Sequence, residues 1–573
     1  MRIIGINNDM YISSAALVED GRIVAAAAEE RFTREKRTRA FPANAIRYCL
    51  AEAGCRIEDV DHFAASWNPG VYFRKFNPLF SRHRRAKAEY LYSVPDNLLA
   101  LFPEDRRGAD YIHQRIRFSG VDRSIYFLTH HRVHAANAFL PSPFAEAAIL
   151  TADSQGELES TTFGVGRGTA IEVFKTIHHP HSLGAYYSTF TEFLGFRPHS
   201  DEWKVMALAA YADADNRYCR ILRDEVVRLL PDGGFDLNLD FFKDFLFEEP
   251  NLYTPRFCER FGAPRAPDAP VETRHHEIAA AMQRMAEEVA FHMLRALHAR
   301  TGCRNLAVSG GFFMNSVLNG KILANTPFES LFVSSSPDDS GNAIGAALYL
   351  HNHVLGRPER HELTHNYLGP AFADNEIEAT LTRFNLPATR MADVEAETAR
   401  SLAEGKLVGW FQGRMEFGQR ALGNRSILAD PRTPGMKDKI NLAVKYREAF
   451  RPFAPAILEE EANAFFEMDE GVAVPFMEKV YPVRATKRAL IPAVVHADGS
   501  GRLQTVSRAT NPRFHRLIEA FGKIANIPIV LNTSFNLNGE PIVCTPTDAI
   551  RTFFSCGLDV LVLGSYIVRK GAA

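Results

Sequence analysis

Two histidines four residues apart could hold a metal ion. His130 and His134 lie in the stretch 130–136, and at this spacing two side chains share one face of a helix. Such pairs bind divalent metals in proteins, although a structural histidine cluster is the alternative. Asp153, which follows an apolar run, and Asp339, in the segment 336–341, could complete the set. Two imidazoles and two carboxylates suit iron, manganese or zinc better than calcium.

A second group of residues could bind a polyanion. Arginine alternates with glycine in the segment 409–431, which holds Arg420 and Arg425, and Lys445 and Arg451 follow it. A guanidinium recognises phosphate with two parallel hydrogen bonds, and glycine permits close approach of the backbone. Solvated surface charges are the alternative, but Phe, Leu and Trp interleave with these cations. The four cations could neutralise a nucleotide and an acyl phosphate.

A pair of glycines could form a nucleotide site. Gly310 and Gly311 separate an apolar strand from a helix, which places backbone N–H groups at the helix N-terminus. Asn315 and Asn319 follow on that helix and could contact a nucleotide sugar or phosphate. Tight packing between strand and helix is the structural alternative.

A third polar group follows the apolar strand at 529–531. Asn532, Ser534 and Asn536 alternate along the chain there and offer hydrogen-bond partners for a ligand. The dipeptide at 538–539 indicates a turn, so a purely structural turn is the alternative.

The elements that must position these residues repeat along the chain. The opening residues alternate strand, polar turn and a hairpin at Asp20-Gly21, and a similar strand, turn and strand occupy 147–165. This duplication predicts an α/β fold of the type built in the acetate kinase, Hsp70 and actin superfold. A long amphipathic helix is predicted over 272–300, ending near Gly302. Periodicity is lost over 356–376, which predicts two domains, 1–360 and 361–573.

Composition limits the functions that remain. The 573 residues carry a formal net charge of -2, which argues against bulk nucleic-acid binding. Seven cysteines, an odd number without CxxC spacing, favour a reducing compartment. The N-terminus has no apolar signal region and no apolar run reaches the length of a membrane span, so a cytoplasmic protein without membrane partners is expected. The basic run 81–87 is interpreted as a solvated face.

These motifs, in this order, resemble the O-carbamoyltransferase family of antibiotic tailoring and nodulation enzymes. The resemblance runs from Ile3 to Val568 and rests on several ordered signatures. They are the segments 28–34, 182–187, 204–211, 412–426, 451–455, 503–506 and 531–541. It implies an actin-like, Kae1-like N-terminal domain and a YrdC-like C-terminal α/β domain. The second would join ATP and carbamoyl phosphate into carbamoyl-adenylate, and the first would transfer the carbamoyl group to a hydroxyl, or an amine, of a small molecule.

The resemblance also implies roles for individual residues. His130, His134, Asp153 and Asp339 would be the metal ligands, with iron first. Positions near the nucleotide of the transfer site would be Gly184, Gly311 and Asn315, with Lys36 a further phosphate ligand. The carbamoyl-phosphate and ATP site would comprise Arg420, Arg425, Lys445, Arg451, Arg502, Asn532, Ser534 and Asn536.

One departure from the family pattern concerns the base. Where the family has a His-Asp pair after the first strand, this chain has Tyr11 and Ile12. A phenol with a pKa near about 10 is a poor base at neutral pH, although it can donate a hydrogen bond to a carbonyl. Asp9 is the nearest substitute base, with His131 behind it, and an amine acceptor would need none.

Other functions remain open at this level. A kinase or ATPase of the actin-like superfold would leave the basic segment 420–455 without a role, and a threonylcarbamoyl-type transferase acting on tRNA fits the neutral charge poorly. An inactive regulatory relative is a third alternative. The acceptor, which the sequence does not name, is expected at 68–120 and 212–265, near Phe73, Phe76, Arg107, Phe241, Phe242 and Phe245. Homodimerisation is left open.

Overall fold

The computed structural model describes residues 1–8, 11–68, 110–118, 120–243, 251–448 and 450–570. Within these ranges the chain forms two compact units. The first contains residues 1–26 and 39–363, and the second contains 27–38 and 364–573. Asp9, the basic run 81–87, Phe73, Phe76, Arg107 and Phe245 lie outside the described residues.

The first unit contains thirteen of the described strands, several with almost wholly apolar sequences. They are β1 (Arg2–Asn8), β2 (Ser13–Glu19), β3 (Arg22–Ala28), β4 (His62–Ala65), β5 (Tyr111–Phe118), β6 (Val121–Leu128), β7 (Glu146–Ala152), β8 (Glu159–Arg167), β9 (Ala170–His178), β10 (Val227–Leu229), β11 (Phe235–Leu237), β12 (Asn305–Ser309) and β13 (Ser330–Val333).

The two main sheets of the first unit repeat one topology. The order is β3-β2-β1-β4-β6-β5 in one sheet and β9-β8-β7-β12-β13 in the other. In each sheet, one strand pairs antiparallel with the strand that follows it in the chain and parallel with a later strand. β1 pairs with β2 and β4 in this way, and β7 pairs with β8 and β12. The predicted duplication is therefore confirmed, and with it the actin-like α/β architecture of this unit.

Local sequence signals set several of the boundaries in this unit. Asp20 and Gly21 both have positive φ, 47° and 77°, as the tight turn between β2 and β3 requires. The long helix Thr273–Thr301 ends where Gly302 takes the left-handed conformation, with a φ of 65°. Both features agree with the prediction.

The first unit's α-helices cover these sheets. They are Ala43–Glu52, His130–Phe139, Leu183–Phe193, Glu202–Leu208, Arg217–Ile221, Pro255–Phe261, Thr273–Thr301, Ser316–Asn325 and Asn342–Leu348.

The second unit is built on one eight-stranded mixed sheet, with the order β14-β23-β22-β15-β16-β21-β17-β20, and a separate hairpin of β18 and β19. Its strands are β14 (Thr389–Arg390), β15 (Val408–Phe411), β16 (Arg425–Ala429), β17 (Ala454–Leu458), β18 (Val480–Pro482), β19 (Ser500–Arg502), β20 (Gln504–Val506), β21 (Ile529–Ser534), β22 (Val560–Leu563) and β23 (Tyr566–Arg569). Its α-helices are Glu30–Thr33, Asp374–Arg383, Val394–Ala403, Met436–Ile440, Ala462–Phe465, Pro512–Ala525 and Pro546–Phe554.

The central strands of this sheet are buried on both faces, as their apolar sequences require. Every residue of β15, β16 and β17 is buried. Trp410 lies fully buried on β15 and donates its indole N–H to the carbonyl of Gly423 at 2.8 Å. Residues carried at the ends of these strands are therefore held on a rigid base.

The short segment 27–38 belongs to the second unit by its own hydrogen bonds. Arg31 donates to the carbonyl of Gly418 at 2.8 Å, and Arg34 donates to the carbonyls of Pro541 and Ile542 at 2.7 and 2.6 Å. No sequence pattern predicted that this segment belongs to the second unit. Among the described helices, none is both long and apolar enough to cross a membrane.

Gly310 should be among the least replaceable residues of the first unit. A Cβ there would lie 2.1 Å from the carbonyl oxygen of Ala152, and its φ is 106°. We expect Gly310→Ala to lower the free energy of unfolding by about 3 kcal/mol. Gly302→Ala is the matched control, since Gly302 also has positive φ but open space around it, and should cost about 1 kcal/mol. Urea unfolding of the full chain measures both, and equal losses would contradict the role of the close approach.

Candidate functional site

The four predicted metal ligands come together at one point in the first unit. His130 and His134 begin the helix His130–Phe139, Asp153 follows β7, and Asp339 follows β13. One donor atom from each lies within 4.8 Å of the others, and all four side chains are buried. The helical spacing and the carboxyl ends of two strands of one sheet therefore produce the cluster.

The distances within this cluster fit a shared cation. His134 Nε2 lies 2.9 Å from Asp153 Oδ2, 3.2 Å from Asp339 Oδ1 and 3.1 Å from His130 Nε2. The His130 Nε2 atom lies 3.4 Å from Asp339 Oδ1 and 3.8 Å from Asp153 Oδ2. Ligands about 2.1 Å from a tetrahedral metal are about 3.4 Å apart, so the set fits a first-row divalent ion.

The electrostatics of the cluster agree with this interpretation. Burial disfavours charge here, yet hydrogen bonds to Asp153 and Asp339 outweigh it and raise the pKa of His130 and of His134. Burial alone would raise the pKa of Asp153, but the two histidines hold that pKa well below its usual range. Two carboxylates therefore face two imidazoles that hold protons readily, and a divalent cation would replace those protons.

Neighbouring groups orient the ligands. His134 Nδ1 lies 3.2 Å from the Ser309 hydroxyl, and the Gly311 N–H donates to Asp153 Oδ2 at 3.2 Å. The carboxylate of Glu157 accepts from the backbone N–H of His130 at 3.1 Å and of Asn68 at 2.7 Å. Burial raises the pKa of Glu157 to about 7. The sequence analysis missed Glu157, although a carboxylate is well suited to a helix N-terminus.

The glycine pair serves packing in this structure. The Gly310 N–H donates to the carbonyl of Pro337 at 2.7 Å and the Gly311 N–H to Asp153, so both predicted phosphate donors are engaged. Asn315 accepts from the Leu318 N–H at 3.0 Å and donates to Gln283 at 2.9 Å. The structural alternative therefore describes Gly310 and Gly311, because the strand and helix approach too closely for a free amide.

The second unit holds a dense cluster of buried cations. Burial lowers the pKa of Lys445 well below its usual value, and the charges of Arg447, Arg451 and Lys36 lower it further. Burial also lowers the pKa of Arg502, with Arg420 and Arg447 adding to the effect. The positive charges of these side chains therefore destabilise one another. Such a cluster calls for an anion of several charges.

The polar residues after β21 hold this lysine in place. The Lys445 ammonium donates to the carbonyl of Ser534 at 2.6 Å, to the carbonyl of Asn536 at 2.9 Å and to Asn536 Oδ1 at 2.8 Å. The Ser534 hydroxyl donates to the same Oδ1 at 2.7 Å. Asn532 is buried on the strand itself. The structure therefore brings Ser534 and Asn536 together with Lys445, and Asn532 lies two residues before Ser534 on the same strand.

Two models of protein families match the chain. The carbamoyltransferase N-terminus matches residues 2–348, and the carbamoyltransferase C-terminus matches residues 399–570.

The chain belongs to the carbamoyltransferase family.

Named relatives support this carbamoyltransferase assignment over most of the chain. The nodulation protein NolNO of Sinorhizobium fredii is 38% identical over 571 residues, which cover 99% of this chain and 80% of that protein. The nodulation protein NolO of Bradyrhizobium diazoefficiens is 41% identical over 451 residues, 78% of this chain and 79% of that protein. The 3'-hydroxymethylcephem-O-carbamoyltransferase of Streptomyces clavuligerus is 30% identical over 446 residues, 76% of this chain and 78% of that protein.

Arg425 differs from its predicted role in this carbamoyltransferase. Its side chain is fully buried and its guanidinium donates to the carbonyls of Gln412, Gly413, Asn424 and Pro370. The guanidinium also lies 3.6 Å from the ring centroid of Phe411. The two Nη atoms of Arg425 therefore tie loops of the second unit together through backbone carbonyls.

Lys36 also differs from its expected place. The prediction assigned it to the transfer site with Gly184 and Gly311, but it belongs to the segment 27–38 of the second unit and lies near Lys445. Gly184 does lie beside the metal cluster, since a Cβ there would meet the Ser154 N atom at 2.5 Å and the Asp153 backbone. The sequence analysis did not name Arg447 as a site residue. The available signal was its position two residues after Lys445.

His131 also differs from its predicted role as a substitute base. Both ring nitrogens of His131 are engaged, Nδ1 with Thr151 at 2.7 Å and Nε2 with the Glu159 carbonyl at 3.0 Å. Burial lowers the pKa of His131 well below its usual value, so it holds position as a neutral ring. This arrangement contradicts its predicted role as a substitute base.

Tyr11 instead lies beside a histidine that the sequence analysis missed. The ring centroids of Tyr11 and His199 are 5.7 Å apart. His199 Nδ1 lies 3.3 Å from the Ser188 hydroxyl, which donates to Glu202 at 2.7 Å. Because that hydroxyl proton goes to Glu202, His199 Nδ1 donates to the Ser188 oxygen. The positive φ of His199, 55°, gives no signal in sequence.

The predicted aromatic pocket residues that are described lie in the core. Phe241 and Phe242 are 0% and 4% exposed, so neither lines an open acceptor site.

Removing one ligand should abolish metal binding by the four-residue cluster. We expect His134→Ala to lose the Fe²⁺, Mn²⁺ or Zn²⁺ that the parent retains after dialysis, measured as metal per chain by elemental analysis. His181→Ala is the control, because His181 is partly exposed and faces Asp236 rather than the cluster. Equal metal content in parent and His134→Ala would contradict the assignment.

Phosphate should relieve the repulsion in the second unit. Inorganic phosphate at about 100 times its dissociation constant would add about 2.7 kcal/mol to the parent's stability. We expect Arg447→Met to be more stable than the parent without phosphate and to gain less from it, as measured by thermal unfolding. Arg508→Met, which removes an exposed cation, should gain as much as the parent. A full phosphate gain in Arg447→Met would speak against the anion site.

Proposed function

We propose that this carbamoyltransferase forms carbamoyl-adenylate in its second unit and transfers the carbamoyl group in its first. The observation that supports this most is the buried cation cluster around Lys445. Carbamoyl phosphate and ATP together carry several negative charges, which such a cluster would stabilise. The acceptor would be a hydroxyl, or an amine, of a small molecule.

The proposed activation balances as two steps. Water cleaves carbamoyl phosphate to carbamate and inorganic phosphate, and a carbamate oxygen then attacks the α-phosphorus of ATP, so that pyrophosphate leaves. Lys445, Arg451 and Arg502 would hold the phosphoryl oxygens while charge moves among them, with Arg420 and Lys36 beside them. Carbamate decomposes in water, so burial of this cluster protects it.

The proposed transfer joins the carbamoyl carbon to the acceptor oxygen and releases AMP. Tyr11 would donate a hydrogen bond to the carbonyl oxygen, and the acceptor's proton would go to a base, either His199 or Asp9, the second of which lies outside the described residues. His130, His134, Asp153 and Asp339 would hold the divalent ion, with Fe²⁺ first and Mn²⁺ or Zn²⁺ as alternatives. Such an ion polarises a carbonyl as a Lewis acid.

A kinase or ATPase of the actin-like superfold is the other enzyme considered above. It would use the first unit alone and leave the cations of the second without a role. Product analysis separates the two, because a kinase forms ADP and the proposed reaction forms pyrophosphate.

Two variants should separate the two proposed half-reactions. We expect Lys445→Met to lower pyrophosphate release from ATP and carbamoyl phosphate by about 100-fold or more, because a transferring phosphoryl group loses its cation. His134→Ala should keep the pyrophosphate burst of the parent, since its site lies in the other unit. Pyrophosphate is measured in a single turnover by a coupled assay. A parent chain that forms ADP instead, or a Lys445→Met chain that matches the parent, would exclude the proposal.

A further inference from the structure

One buried acceptor in the second unit has no donor within reach. Asn532 is 1% exposed and lies on β21, paired on one side with Leu428 and on the other with Ala454. Its side-chain NH₂ donates to Gln504 Oε1 at 2.8 Å and to the Ala421 carbonyl at 3.2 Å. In the described part of the chain, no hydrogen-bond donor reaches Asn532 Oδ1.

The orientation of this amide is fixed. Both hydrogens of the Asn532 NH₂ go to acceptors, so turning the amide over would place its oxygen against two other oxygens. Gln504 cannot turn over either, because its own NH₂ donates to the Leu422 carbonyl at 2.9 Å. Asn532 Oδ1 therefore presents its lone pairs in one direction.

The residues that bond to Asn532 are close in sequence to two arginines of the cation cluster. Ala421, which accepts from Asn532, directly follows Arg420, and Gln504 comes two residues after Arg502. Residues two apart on an extended chain point to the same side. Lysine and arginine side chains only donate, so a ligand N–H bound among them needs an acceptor from another residue.

Carbamoyl phosphate offers such an N–H group. It matches acetyl phosphate in charge and nearly in size, and differs in having an NH₂ where acetyl phosphate has a methyl group. Donating cations cannot distinguish these two groups, but a fixed carbonyl oxygen can. A site built to hydrogen-bond a substrate N–H rejects the analogue that lacks it much more strongly than a pocket that only matches shape.

We propose that Asn532 Oδ1, held in place by Gln504, accepts a hydrogen bond from the carbamoyl NH₂ and thereby selects carbamoyl phosphate over acetyl phosphate. This inference rests on the proposed function of the second unit and adds its specificity. Gln504 is a positioning residue here, since it acts through Asn532. The 6-amino group of adenine is the other substrate NH₂, so the test separates the two.

The experiment uses the full chain and measures pyrophosphate release with four substrate pairs: ATP with carbamoyl phosphate, ATP with acetyl phosphate, and inosine triphosphate with each. We expect the parent to prefer carbamoyl phosphate by about 100-fold or more in kcat/KM. In Gln504→Met this preference should fall at least about tenfold, through a lower rate with carbamoyl phosphate and an unchanged rate with acetyl phosphate. The preference for ATP over inosine triphosphate should not move.

Two further variants control for general damage. Gln412→Met removes another buried glutamine amide, one that bonds to Arg513 and the Gly564 carbonyl, and should keep the parent's preference. Gln504→Glu retains an acceptor for the Asn532 NH₂ and should keep more of the preference than Gln504→Met. If Gln504→Met does not fold, the comparison of Gln504→Glu and the parent carries the test.

The outcomes are distinct. A parent chain that releases pyrophosphate equally with both acyl phosphates overturns the specificity and leaves the proposed function standing. A strong preference that survives in Gln504→Met overturns the positioning role, and a change confined to the nucleotide preference assigns the oxygen to adenine instead. A parent chain that releases none with carbamoyl phosphate removes the proposed function and this inference together.

Discussion

Repulsion between buried positive charges is the constraint on which the second unit depends. Lys445, Arg447 and Arg502 are each destabilised by burial and by other cations nearby. A fold tolerates such a group only if rigid surroundings hold it and a ligand compensates it. The fully buried central strands and the carbonyls around Lys445 provide the rigid surroundings. The unfavourable charge is thus concentrated where an anionic substrate would remove it.

The first unit groups buried carboxylates and histidines rather than buried cations. Its buried carboxylates, Asp153 and Asp339, face His130 and His134 across distances that a single divalent ion would fill. Each sheet of the duplicated fold ends near this point, so ligands from a helix and two strands meet without distortion. The first unit therefore groups buried carboxylates and histidines, and the second unit groups buried cations.

Hydrogen bonding gives each site its direction. Ser188 and Glu202 set the tautomer of His199, and Gln504 sets the orientation of the Asn532 amide. In both cases the oriented atom depends on a neighbour that touches no substrate.

The sequence by itself determined what depends on local spacing. The helical pair His130 and His134, the hairpin at Asp20-Gly21 and the duplicated strand pattern were all readable because helix and strand periods act over a few residues. The grouping of Asn532, Ser534 and Asn536 with Lys445 agreed with the motif order.

The tertiary structure alone decided which of these groups remain available to a ligand. Arg425 looked like its neighbours in sequence, yet backbone carbonyls from distant loops take its donors. Lys36 lies in a segment that joins the second unit across more than 300 residues of chain, as the bond from Arg31 to Gly418 shows. Tertiary packing likewise places His199 beside Tyr11. Burial and long-range hydrogen bonds are properties of packing, and no local pattern encodes them.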